Sequence, residues 1–194
     1  MRVLRTIAVM AIVGVLAASC TGSGSQQKSS AGDFVDAACA DLAAWATSVN
    51  TAFTDLQSLG AQFSANDTTA AQLQLKKLSQ GLESAETATS QLANGISARG
   101  APSIASGEDI KKSILDSLNR LRELLNTTRK EVDTFDFATA TKEASDRLKS
   151  DLDALTSEVA SAFAGLAPLN ENNDLRTAFE GSAACKKVQS SFSS

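Results

Sequence analysis

Between residues 33 and 188, apolar side chains recur at steps of three, four and seven, the spacing that lines one face of an α-helix. In the first run Val35, Leu42, Val49, Leu56 and Phe63 fall at seven-residue intervals, with Ala38 or Cys39, Trp45, Ala52 or Phe53, and Leu59 between them. A second run takes Ala71, Leu75, Leu78, Leu82, Ala85, Thr89, Leu92 and Ile96. Asn66, Asp67 and Thr68 stand where a cap for its start belongs, and Gly95, Gly100 and Pro102 mark its end. The third run takes Ile110, Ile114, Leu118, Leu121, Leu125, Thr128, Val132 and Phe135, with Ser106 as its expected cap and Glu108 and Asp109 in the dipole-favoured first turn. The fourth takes Ala144, Leu148, Leu152, Leu155, Val159, Ala162 and Leu166 and stops between Gly165 and Pro168. Residues 134–139 break the pattern only weakly.

Runs of about 27 to 32 residues would each be about 40 to 48 Å long at 1.5 Å per residue. Matched lengths and short links predict an all-α fold, an antiparallel up-down-up-down four-helix bundle whose stripes bury one another rather than an intermolecular coiled coil. Strand-like alternation and hairpin turns are absent from the sequence. A short further helix is expected around Asn172 to Glu180, carrying Leu175 and Phe179 across one end of the bundle. Residues 33–188 form the expected domain and residues 189–194 a frayed tail.

Composition narrows the chemistry. The 194 residues suit one domain, and there is no His, which removes imidazole acid–base pairs, Ser-His-Asp and Cys-His nucleophiles and most zinc and haem sites. Ahead of the helical body, Arg2 and Arg5 precede a mostly apolar stretch of residues 6–15 and the small residues Ala17, Ala18 and Ser19. That is the plan of an export signal occupying residues 1–19. Its apolar part covers about 15 Å, half of a hydrocarbon core, and is too short to persist as a membrane span.

Leu16-Ala17-Ala18-Ser19-Cys20 resembles the lipobox of bacterial lipoproteins, with Ala17 where Leu, Val or Ile is usual. The resemblance implies cleavage before Cys20 and lipid attachment to its thiol; Ala17 and Ser19 also suit an ordinary signal-peptidase cut at the same bond. Residues 20–32 would then be a lipidated cysteine and a Gly/Ser/Gln tether with nothing able to hold a core. Several acyl chains on one cysteine exceed what stable membrane anchoring requires.

With Cys20 taken by lipid, Cys39 and Cys185 remain as a pair in an oxidising compartment. A structural disulfide tying the last segment to the first helix is expected; the alternative, a redox-active pair, lacks a Cys-x-x-Cys motif.

Loss of Arg2 and Arg5 leaves 16 of the 18 basic residues against 22 acidic ones, a net charge of −6. Nucleic acid is not an expected partner, because phosphate binding requires a basic face. Lys111, Lys112, Arg120, Arg122, Arg129 and Lys130 of the third run are balanced by Glu108, Asp109, Asp116, Glu123, Glu131 and Asp133 and read as a solvated mixed-charge face. Asp151 with Asp153, and the Asn170 to Asp174 cluster, offer hard oxygen ligands without EF-hand spacing, and read as polar surface and helix cap. Glu83 and Glu86 could pair as carboxylates but lack the Glu-x-x-His partners of di-iron bundles, and are expected to face solvent. Trp45 reads as a core anchor. Alanines on the stripes permit close helix approach, or a groove between helices that admits an acyl chain.

The body is similar to small, Ala-rich, all-helical exported lipoproteins of actinobacteria, in which a Cys-x-x-Leu-x-x-Trp helix (here Cys39, Leu42 and Trp45) opens the domain and a late cysteine closes it. The resemblance implies location and fold and carries over no binding residue. No catalytic, metal or cofactor residue is expected, and the chain reads as a non-enzyme on the outer face of the cell membrane. Its expected role is an interaction or scaffolding module for an envelope protein; the alternative is a carrier or sensor of a lipid or other hydrophobic ligand held between the helices.

Overall fold

The apolar stripes become four long helices packed in chain order: α1 (Ala31–Ala65), α2 (Thr68–Ala98), α3 (Gly107–Thr134) and α4 (Lys142–Gly165), followed by α5 (Pro168–Glu171), α6 (Asn173–Gly181) and α7 (Ala183–Phe192). The computed structural model describes residues 28–65, 68–137, 139–140 and 142–192, with side chains at 60–65, 68, 170 and 188–192 excepted. Cys20, the expected signal and most of the expected tether, the Asn66-Asp67-Thr68 cap and the Phe63 side chain lie outside this description. Among the described residues the only strand-like pairing is an isolated bridge between Ser29 and Pro102.

Cross-helix contacts fix the directions. Trp45 meets Thr89 and Asp55 meets Gln74, so α1 and α2 are antiparallel. Glu86 meets Arg129 and Lys111 meets Ser97 between α2 and α3. Arg120 meets Glu158 and Glu131 meets Arg147 between α3 and α4. The core follows the expected stripes: Val35, Leu42, Trp45, Val49, Leu75, Leu78, Leu82, Leu92, Ile114, Leu118, Leu121, Leu125, Leu148, Leu152, Leu155 and Val159 are all buried. Ala144, placed on the fourth stripe from its spacing, is exposed in the first turn of α4.

Boundaries depart from the sequence reading in physically explicable ways. Gly95 does not end α2, which continues to Ala98; a Cβ there would come within 2.9 Å of Asp41 Oδ2, and one at Gly81 within 3.2 Å of Ala52 Cα. These glycines let α1 and α2 approach closely. Ser106 precedes α3 as expected, but with φ 59° its backbone is left-handed and its side chain caps nothing; its carbonyl accepts from Ile110 N at 2.9 Å. Helix α1 starts at Ala31, two residues before residue 33, and Ser29 is already tied to the α2–α3 loop: its N–H donates to Ala101 O at 3.0 Å and its carbonyl accepts from Ser103 N at 2.9 Å. At the other terminus α7 reaches Phe192, beyond residue 188.

The short C-terminal helices are built by caps. Asn172 Oδ1 accepts from Asp174 N and Leu175 N at 3.0 and 3.2 Å and starts α6. Ser182 Oγ accepts from Cys185 N at 3.2 Å and starts α7, which places Cys185 one turn into the helix. There its sulfur lies 2.02 Å from that of Cys39, at disulfide distance, although the two cysteines are 146 positions apart in the chain. Both α6 and α7 pack on α1.

Two stability tests follow. Replacing Cys39 and Cys185 together by serine should cost about 2–5 kcal/mol, read as a lower urea midpoint, and reducing agent should lower the wild-type midpoint but not that of the variant. Trp45 Nε1 donates to Thr89 Oγ1 at 3.1 Å in the core. Thr89→Val keeps the shape and strands this buried donor, for an expected loss of about 1–3 kcal/mol; an unchanged unfolding midpoint would show that the hydrogen bond is dispensable.

Candidate functional site

Helices α1, α2, α3 and α4 do not close into an evenly packed ring. The α1–α2, α2–α3 and α3–α4 pairs pack backbone to backbone, whereas α4 reaches α1 mainly through side chains. The reason lies in side-chain size. Gly165 of α4 sits so close to Ser117 that a Cβ would come within 2.5 Å of its Oγ, while the α1–α4 seam is held apart by aromatic and branched residues. Trp45 and Phe163 meet across it with ring centroids 4.7 Å apart.

The result is an open groove of about 310 Å³ lined by Ala46, Val49, Asn50, Phe53, Thr54, Gln57, Val159 and Phe163. Beneath it a void of about 10 Å³, bounded only by apolar residues and sharing Val49, Phe53 and Val159 with the groove floor, reaches toward Ala85 and Leu125. Phe163 is 41% exposed at the groove edge; Leu73 on α2, 60% exposed, is the other large apolar side chain left exposed among the described residues. No lining residue is charged. Thr54 Oγ1 donates to Asn50 O at 3.0 Å, as Thr47, Thr51 and Ser58 donate to carbonyls one turn back, so the α1 hydroxyls along this side are satisfied within the helix.

The residues singled out for chemistry are dispersed. Trp45 is buried in the core, as expected. Glu86 does not face solvent with Glu83: half-buried between α2 and α3, it accepts from Asn126 Nδ2 at 2.9 Å and pairs with Arg129 Nε at 3.3 Å. Lys111 leaves the expected solvated face; only 8% exposed, its ammonium donates to Ser97 O at 3.1 Å and to Arg99 O. It therefore closes the C-terminal end of α2, where orphan carbonyls and the helix dipole favour a cation. Asp153 is exposed, and among the described residues no group of three or more His, Cys, Asp or Glu side chains could hold a metal ion.

Asp151 brings a feature that spacing did not reveal. It faces Glu131 across α3 and α4, and Glu131 Oε2 and Asp151 Oδ2 are buried without a hydrogen-bond donor. A side-chain hydrogen bond with Asp151, burial, and repulsion between the two carboxylates raise the Glu131 pKa above its ordinary 4.5, so that its carboxyl holds a proton more tightly, against the opposing pull of Arg147, whose Nη2 donates to Oε1 at 2.9 Å. Because the folded state holds this proton more tightly, the contribution to stability is complete below pH 4.5 and is lost as pH rises through the raised value. Glu131→Gln should therefore gain stability relative to wild type as pH increases from 4 to 7 (about neutral), read as the difference in Tm between the two proteins. A pH-independent difference would show that the Glu131 pKa is not raised in the folded protein.

No protein-family model matches the chain, and none of the curated proteins or solved structures matches it either.

Proposed function

We propose that this chain is a non-enzymatic lipoprotein module of the cell envelope, held on the extracytoplasmic face of the membrane through lipidated Cys20 and acting by contact with an envelope protein. The observation that best supports this reading is the way the chain enters the fold. Ser29 is fastened to Gly100, Ala101 and Ser103, with its Oγ donating to Gly100 O at 2.6 Å, so the described chain begins at the end of the bundle where α2 and α3 meet. The nine residues from Cys20 to Lys28 would span about 15 Å as a Gly/Ser-type coil, a short leash from one defined end. The body has the chemistry of a contact surface. A shallow depression of about 240 Å³ on α3 carries both signs of charge, with Asp109 and Asp116 beside Lys112 and Arg120. A second, of about 430 Å³ between α1 and α2, is lined by Ser48, Glu83, Ser84, Thr87 and Gln91 together with alanines. Polar, mixed-charge surfaces suit transient rather than obligate association.

The anchor is tested with Cys20→Ser. In detergent phase separation of native membranes the wild-type protein should enter the detergent phase, with an intact mass equal to residues 20–194 plus acyl chains, while the variant enters the aqueous phase. Identical partitioning of the two proteins would overturn the anchored reading.

A further inference from the structure

We propose that the α1–α4 groove binds one unbranched alkyl chain bearing an uncharged head. Three observations select this occupant. The groove is narrow: its 310 Å³ extends along α1 from Ala46 to Gln57. Those twelve residues rise about 16 Å, and all the empty space between the walls, about 670 Å³ counted out to open solvent, then has a mean cross-section of about 41 Å², against about 80–110 Å² for a helix 10–12 Å across. A helix of a partner or of a second copy does not fit between the walls, whereas an extended methylene chain does.

The groove is also uncharged. Its floor is Val49, Phe53 and Val159, and its rim is Asn50, Thr54 and Gln57, with no cation to hold a carboxylate or phosphate beside the chain. A charged head would have to stay outside in water, while an alcohol, ester or amide can meet the amide side chains of the rim. Third, a second copy has little to bury. Phe163 and Leu73 lie on different helices toward opposite ends of the bundle and do not form the continuous apolar patch that a stable dimer uses. The site does not depend on whether Cys20 carries lipid, and needs no rearrangement of the core.

Trp45 supplies the readout. It is the only Trp in a chain without Tyr, and its ring lies against Phe163 at the groove edge. Titration with 11-bromoundecan-1-ol below its aggregation limit should quench Trp45 fluorescence saturably, because the bromine is carried into the groove. Thr54→Phe places a ring in the groove mouth from an exposed position and should weaken this binding at least tenfold; Leu73→Ser, remote from the groove, should leave it unchanged. Circular dichroism checks that both variants fold, and Gln57→Phe serves as a second block at the other end of the rim. The charged analogue 11-bromoundecanoate should bind at least tenfold more weakly than the alcohol. Absence of saturable quenching, quenching that survives both blocking variants, equal affinity for the carboxylate, or a doubled mass in sedimentation without ligand would each overturn the proposal.

Discussion

The C-terminal part of the fold depends on the link between Cys39 and Cys185. Helices α5, α6 and α7 are four, nine and ten residues long, below the length at which an isolated helix is stable in water. They persist by packing on α1 and on one another, and the link fixes their position along α1 near its first turns. Leu175 and Cys185 are fully buried through this docking. The Asn172 and Ser182 caps decide where each short helix starts, and therefore which residue reaches α1. Sequence distance would make a disulfide here effective: closing so long a loop would restrict the unfolded chain far more than the native one.

Helix α1 consequently has neighbours on several sides, and its residues divide by size among them. Ala52 and Asp41 face glycines of α2, so that interface is close. Trp45, Phe53 and Leu56 turn toward α4, where Leu155, Val159 and Phe163 are also large. Four helices cannot all approach to glycine distance when one interface is filled with rings. The seam that opens is the one joining the first and last helices of the bundle, which no short loop holds together. The groove is thus a consequence of where bulk falls on α1, and it is accompanied by a face free of charge from Leu42 to Thr54.

The helices themselves were legible because each carries its own apolar stripe at helical spacing, and spacing is local information. The Cys39 and Cys185 pairing was legible from cysteine arithmetic, although the cap that aims Cys185 was not used. What spacing did not reveal is who faces whom. Gly95 reads as a stop signal until α1 is known to pass beside it, and Lys111 reads as solvated until the end of α2 is known to lie over it. Glu86 and Asp151 are similar cases: a carboxylate's neighbours on its own helix say nothing about Arg129 or Glu131 on the next. The groove was anticipated only as one of two outcomes of alanine-rich stripes. In the structure the small residues serve mostly the close α1–α2 contact, and aromatic and branched residues make most of the groove.

The two ends of the bundle are not equivalent, and this bears on how an anchor and a groove would work together. Ser29, the α2–α3 loop and the C-terminal ends of α2 and α4 gather at one end. The groove begins at Ala46, fifteen residues beyond the start of α1, or about 22 Å along its axis. A tether of about 15 Å leaving from the near end would let the bundle stand with its groove above the headgroups or lie with α1 and α4 against them. Upright, an alkyl chain in the groove would be shielded from the bilayer, and the protein would hold it as the proposed carrier. Lying flat, the uncharged α1 face and Phe163 would meet the interface, and a chain would pass between membrane and groove without crossing bulk water. Exchange would then be set by the orientation the tether permits, and holding by the hydrocarbon contacts along Val49, Phe53 and Val159, so loading and retention would fall to different parts of the same chain.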